Sequence, residues 1–331
     1  MANADLPHPG SLAPLAGRGR PGLRRSEWFG VLVVVALFLA VGLIGVYRYV
    51  DNFWLYRGFS PPSDPAFVQV HGRQETVGVS SAALGGRTQQ VVVYLPPGYD
   101  ASPGRRYPVM YLLHGFPGRP LAFLMTVRMA VWVDTLTAQH RLGGGIILVM
   151  PSGSTGTFED KEWANGIHHG EGWETFVARD LVGAIDARYR TIASGSARAI
   201  AGLSEGGYGA LNIAFHHPGE FRVVESWSGY MHADNIPAIF GGRVSLLAYN
   251  SPYDYLPRVA AKLRREGVYI WFYTGSTDSL RFQNAAFAAR LTRYGIAHRY
   301  FVDRGGHTWR IWRANAELSL LTAASRLSRG Y

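Results

Sequence analysis

Apolar positions along this chain fall into two kinds of run. One is unbroken, WFGVLVVVALFLAVGLIGV from Trp28 to Val46, with neither a charge nor a polar face. The others lie beyond residue 66 and are short. TQQVVVYLPPGY reads as a strand ending at Pro96-Pro97, and YPVMYLLHG, GGIILVMPSG, ARAIAGLS, FRVVESWSG, VYIWFYTGS and HRYFVDRGG read as six more. Between them, WETFVARDLVGAIDARY, EGGYGALNIAFHH and RFQNAAFAARLTRYG carry helical spacing, with Phe176, Val177, Leu181, Ile185 and Tyr189 sharing a face in the first. Continuous apolar strands are covered on both faces. Their alternation with helices predicts an α/β fold: a mostly parallel central sheet with helices on both faces.

The long run is about 28 Å as a helix, close to the thickness of a hydrocarbon core. A cleaved signal peptide is the competing reading, but its apolar region spans only about 7–15 residues, and no small-x-small site follows GLIGVYRYV. Arg18, Arg20, Arg24 and Arg25 precede the run, and only Arg48 and Arg57 follow closely. The positive-inside rule then leaves the N-terminus cytoplasmic and the rest outside. The expected organisation is a disordered basic cytoplasmic tail (1–27), a transmembrane signal-anchor helix (28–49), a stiff linker (50–65) ending GFSPPSDP, and a catalytic domain (66–331).

Composition narrows the chemistry. There is no cysteine, which excludes disulfides, thiolate metal sites and cysteine nucleophiles. The net charge of +10 is carried almost wholly by arginine. It permits an anionic lipid surface, and no basic cluster with interleaved aromatics points to nucleic acid. His168-His169 lacks a ligand set nearby, so neither a metal nor another cofactor is expected.

The segment AIAGLSEGGYGALNIAF holds the strongest candidate chemistry. A strand, a sharp turn carrying G-x-S-x-G and a helix form a nucleophile elbow. Gly202 and Gly206 leave room for a strained Ser204 to project its hydroxyl. A serine needs a base, and the base needs an orienting carboxylate. Asp278 lies just past the strand VYIWFYTGS, and His307 lies in a glycine loop past the next strand. Asp303, four residues before His307, is the rival acid, and Asp254 is third. The order Ser, Asp, His is that of an α/β-hydrolase. Oxyanion donors are expected from the N–H of Glu205 and, in the loop LLHGFPG, of Phe116, with Gly115 second. Pro117 has no N–H to give.

VVVYLPPGYD, YPVMYLLHGFPG, GLSEGGYGALNIAFHHPGEF, SWSGY and GGHTWRIW together resemble the esterase branch of the α/β-hydrolases. That branch includes S-formylglutathione hydrolase, feruloyl-esterase-like domains and the antigen 85 mycolyltransferases, and the resemblance runs from about residue 70 to 325. It implies Ser204 as nucleophile, Asp278 as acid, His307 as base, and Phe116 with Glu205 as oxyanion donors. The mycolyltransferases carry a glutamate where this chain offers Asp278. The expected function is a membrane-anchored serine esterase acting on a carboxylic ester of lipid or cell envelope. Acyl transfer by the same triad, a secreted soluble esterase and a non-catalytic tethered binding module are the alternatives.

FEDKEWANG and HHGEGWE concentrate Glu159, Asp160, Glu162, Glu171 and Glu174 in an otherwise basic chain. With Glu205 they form either a site for a cationic group, such as the amine of an aminoacyl ester, or a solvated loop. Trp163, Glu162 and Trp173 are candidate substrate contacts, and residues 230–257 are a candidate lid or acyl groove.

Overall fold

The computed structural model describes residues 24–156 and 159–328. Most of the expected tail therefore lies outside the described residues. Chain contacts divide the protein into residues 1–51 and a larger unit from Asn52 to Tyr331.

The described residues of the first unit lie almost wholly in one helix, Arg25–Tyr56, whose last five residues belong to the second unit and which has no buried side chain. It continues past the boundary expected at residue 49, because nothing from Val50 to Tyr56 breaks a helix. Arg57 and Gly58, at φ 52° and 81°, turn the chain out of it. Residues of the expected stiff linker make contacts within the second unit. Thr126 Oγ1 donates to Leu55 O at 2.6 Å, Arg57 lies 5.1 Å from the Trp309 ring, and Arg313 sits 4.7 Å from the Phe59 ring.

The second unit is built on an eight-stranded sheet: β1 (Arg73–Ser80), β2 (Thr88–Leu95), β3 (Val109–Leu113), β4 (Ile147–Pro151), β5 (Arg198–Leu203), β6 (Val223–Trp227), β7 (Tyr269–Gly275) and β8 (His298–Asp303). The order is β1-β2-β4-β3-β5-β6-β7-β8. β1 and β2 pair antiparallel, as do β2 and β4, and every later pair is parallel.

Every residue of β3, β4, β5, β6 and β7 is buried, as their mostly apolar runs lead one to expect. One face is covered by the run Trp173–Arg188 and by helices Glu205–His216, Pro252–Arg265 and Arg281–Arg293, which bring Phe176, Ile185, Phe215, Leu256 and Phe287 to one core. Helices Met129–Ala138 and Ala316–Ala324 bring Val133, Leu136, Leu320 and Ala323 to the core on the other face.

Edge strand β1, RQETVGVS, escapes a periodicity reading because only Val77 and Val79 are buried along it. Residues 230–257 hold two short helices, Pro237–Phe240 and Val244–Tyr249, and the start of Pro252–Arg265. Ile239, Phe240, Tyr255 and Leu256 are buried there, whereas Val244 and Tyr249 are exposed.

Candidate active site

β5 delivers Ser204 to the sheet's carboxyl edge with φ 55° and ψ −123°. A non-glycine residue held at such angles costs on the order of 1–3 kcal/mol and persists only where its surroundings over-determine it. They do. The Ser204 N–H donates to Trp227 O at 2.9 Å, and its carbonyl accepts from the N–H groups of Gly207 and Tyr208 at 2.9 and 3.1 Å.

The flanking glycines allow the crossing. A methyl group on Gly206 would drive into the backbone carbonyl of Leu113, and one on Gly202 into that of Gly206. Gly115 has a parallel role in the opposite loop, where a Cβ would come 3.0 Å from the Ser204 Cβ.

Loops after β7 and β8 complete a hydrogen-bonded line. His307 Nε2 lies 2.9 Å from Ser204 Oγ, and His307 Nδ1 lies 3.0 Å from Asp278 Oδ2. An ionised carboxylate only accepts, so Nδ1 carries the proton and Nε2 turns its lone pair toward the serine hydroxyl. The Asp278 side chain is fully buried. Burial alone would raise its pKa; the bonds from His307 and the Leu280 N–H (2.9 Å) outweigh that and hold it below the usual carboxylate range.

Asp303 is engaged elsewhere, accepting from the Arg304 N–H and from Asn315 Nδ2. Asp254 faces His232 at 3.6 Å. Of the three candidate acids, the structure brings Asp278 to His307.

Glu205 opens the helix Glu205–His216 directly after the serine, so its N–H is among those with no partner inside the helix. The loop carrying Gly115 and Phe116 is braced by a residue not singled out from sequence. His114 is buried, its Nε2 accepts the Gly153 N–H at 3.0 Å, and its Nδ1 lies 3.0 Å from Gly115 O. The proton therefore sits on Nδ1. Burial pushes this histidine down to about 4, so the ring stays neutral. Trp163 Nε1 fixes the same turn by donating to His114 O at 2.9 Å.

A family model described as "Putative esterase" matches residues 81–319. The chain belongs to this esterase family. An esterase of Mycobacterium tuberculosis is 31% identical over 252 residues, 66% of this chain and 52% of the relative. The chain thus spans about half the length of that curated relative. A solved ferulic acid esterase is similar with a TM-score of 0.68 at 25% identity, over 78% of this chain and 100% of its own. A fluorophosphonate-binding serine hydrolase of Staphylococcus aureus shares the fold, with a TM-score of 0.64 at 18% identity over 77% and 99% of the two chains. The fold is that of the α/β-hydrolases.

Within this esterase fold the acidic segment behaves differently from either sequence expectation. Glu162 and Glu174 are buried, which corrects the solvated-loop reading for these two, and Glu205 is buried as well. Glu174 accepts from His216 Nδ1 and His217 Nε2, both at 2.9 Å. Glu162 Oε1 accepts from Tyr230 OH at 2.7 Å. Burial pushes the Glu162 carboxyl up to about 9, aided by nearby Asp160 and Asp234. Burial raises Glu205 as well, reinforced by Asp160 and Glu162. Near neutral pH the Glu162 side chain is therefore protonated.

Trp163 and Trp173 are also buried, so neither they nor Glu162 present a face to a substrate. Trp163 fills the space left by the missing side chain of Gly209, and Trp173 Nε1 donates to Glu171 Oε2 at 2.8 Å.

Two outcomes follow from this packing. Gly206→Ala is expected to lower stability by about 1–3 kcal/mol, read as a fall in denaturation midpoint. An unchanged midpoint would mean that strand and helix do not cross as tightly as described. For Glu162, the unfolded chain loses its proton near the ordinary glutamate pKa while the folded chain keeps it to about 9. This group's contribution to stability therefore falls as pH rises between those values. Glu162→Gln removes the titration, so its melting temperature should decline less than wild type's from about pH 5 to about pH 8.5. Parallel profiles would contradict the assignment.

Proposed function

We propose that the chain is a membrane-anchored, extracytoplasmic serine esterase that cleaves a carboxylic ester through an acyl-enzyme. The observation that carries this reading is the continuous line from Asp278 through His307 to Ser204 Oγ, with bonds of 3.0 and 2.9 Å.

As Ser204 Oγ attacks the ester carbonyl, His307 Nε2 takes its proton, and Asp278 stabilises the resulting imidazolium. The carbonyl oxygen becomes an oxyanion, met by the N–H groups of Glu205 and Phe116. Collapse of the tetrahedral species breaks the bond to the alkoxy oxygen, and His307 returns the proton to the departing alcohol. Water, activated by the same histidine, then attacks the acyl-enzyme and releases the acid. A sugar or lipid hydroxyl in place of that water would make the reaction an acyl transfer.

The anchor reading is supported by the helix Arg25–Tyr56, 32 residues long and apolar enough over its length to cross a bilayer. Arg24 and Arg25 at its start favour a cytoplasmic N-terminus. An anchored domain works at the membrane surface, where esters of lipid and cell envelope are within reach.

Hydrolysis of short p-nitrophenyl esters by the full chain in detergent tests the chemistry. Asp278→Asn should lower kcat on the order of 10³–10⁴-fold, while Asp303→Asn should leave it within a few-fold. Equal losses in the two variants would refute the acid assignment. Fractionation of cells tests the placement. The chain should stay in the membrane pellet through alkaline carbonate, with its large unit open to external protease. Recovery as a soluble protein would overturn the anchor and leave the esterase reading standing.

A further inference from the structure

Residues 57–72 run along the second unit as coil before β1 begins, and a second cluster of ionisable groups forms there. Asp64 and His71 come from this segment, and Asp134 comes from the helix Met129–Ala138. His71 Nδ1 lies 2.8 Å from Asp64 Oδ2 and 3.7 Å from Asp134 Oδ2. One donor atom from each residue falls within 4.8 Å of the other two.

The surroundings are built to hold this shape. The Asp134 carboxylate is buried, accepting Tyr94 OH at 2.6 Å and the Gly72 N–H at 3.2 Å. Gly72 lets the coil lie against β2, since a Cβ there would meet Leu95 O and the Tyr94 ring at 2.5 Å.

Two carboxylates thus converge on one ring nitrogen, and a single Nδ1 proton can serve only one of them. Asp64 Oδ1 is also enclosed without a hydrogen-bond partner. The Asp64 carboxylate thus keeps an unused acceptor oxygen in addition to the one at His71.

We propose that Asp64, His71 and Asp134 bind a divalent transition-metal ion of the zinc type, which fastens the coil to the hydrolase body. One imidazole and two carboxylates form a donor set that suits zinc. Zinc bonds of about 2.0–2.2 Å in a tetrahedron place donors about 3.4 Å apart, and the 2.8 and 3.7 Å separations bracket that value. Calcium, which takes six to eight oxygens, is poorly matched. The His71 side chain is half exposed, which gives an ion its way in. Asp64, His71 and Asp134 are too scattered in sequence to form a metal-ligand motif, and the proposal departs from the expectation of no metal.

The test is calorimetric titration of zinc into the full chain in detergent after chelator treatment, with calcium and magnesium as comparators. One zinc per chain is expected, together with a rise in melting temperature that calcium and magnesium do not produce. Losing a ligand should weaken binding by at least the roughly 10–100-fold seen for supporting partners, so His71→Ala and Asp64→Asn should each do so. Both replaced residues lie in coil outside the Ser204 site, and unchanged ester turnover would show that the variants remain folded. No zinc uptake by wild type, or uptake that both variants retain undiminished, would overturn the proposal.

Discussion

The tight crossing of β5 and the helix Glu205–His216 is the constraint on which the rest depends. It forces Ser204 into a backbone conformation that an L-residue avoids, and the surrounding sheet has to hold it there. Trp227 O comes from the neighbouring strand and receives the Ser204 N–H. The carbonyl of Leu113, at the end of β3, leaves no room for a Cβ on Gly206. The serine is therefore presented by three parallel strands and one helix together, and a change in any of them reaches its hydroxyl.

The electrostatics follow from the same packing. The chain as a whole is basic, with a net charge of +10, yet it buries Glu162, Glu174 and Glu205. Burial and the neighbouring Asp160 and Asp234 push the Glu162 carboxyl up to about 9, and burial with Asp160 and Glu162 raises Glu205. Asp278 is held ionised by its bonds to His307 and the Leu280 N–H, despite burial. The region thus contains carboxyls shifted in opposite directions, Asp278 down and Glu162 up.

Much of this was legible in the sequence, for identifiable reasons. Strands β3 to β7 are buried on both faces and read as mostly apolar runs, and the elbow has a fixed pattern of glycines about one serine. Edge strand β1 was missed because RQETVGVS buries too little to show a period. The helix Met129–Ala138 was missed because neither a cap residue nor a clean stripe marks it. Trp163 and Trp173 looked available to a substrate because they adjoin acidic residues in sequence, but packing against Gly209 and bonding to His114 and Glu171 take them inward. His114 was legible only as part of a loop; its role depends on Gly153, 39 residues away.

The central claim is that this geometry makes Ser204 an activated nucleophile. The most direct measurement is intact-mass and peptide mapping of the full chain after reaction with a fluorophosphonate probe, beside Ser204→Ala. The account predicts one adduct per chain, on the peptide containing Ser204, and none in the variant. A folded wild type that takes up no probe, or an adduct that persists in Ser204→Ala, would contradict it.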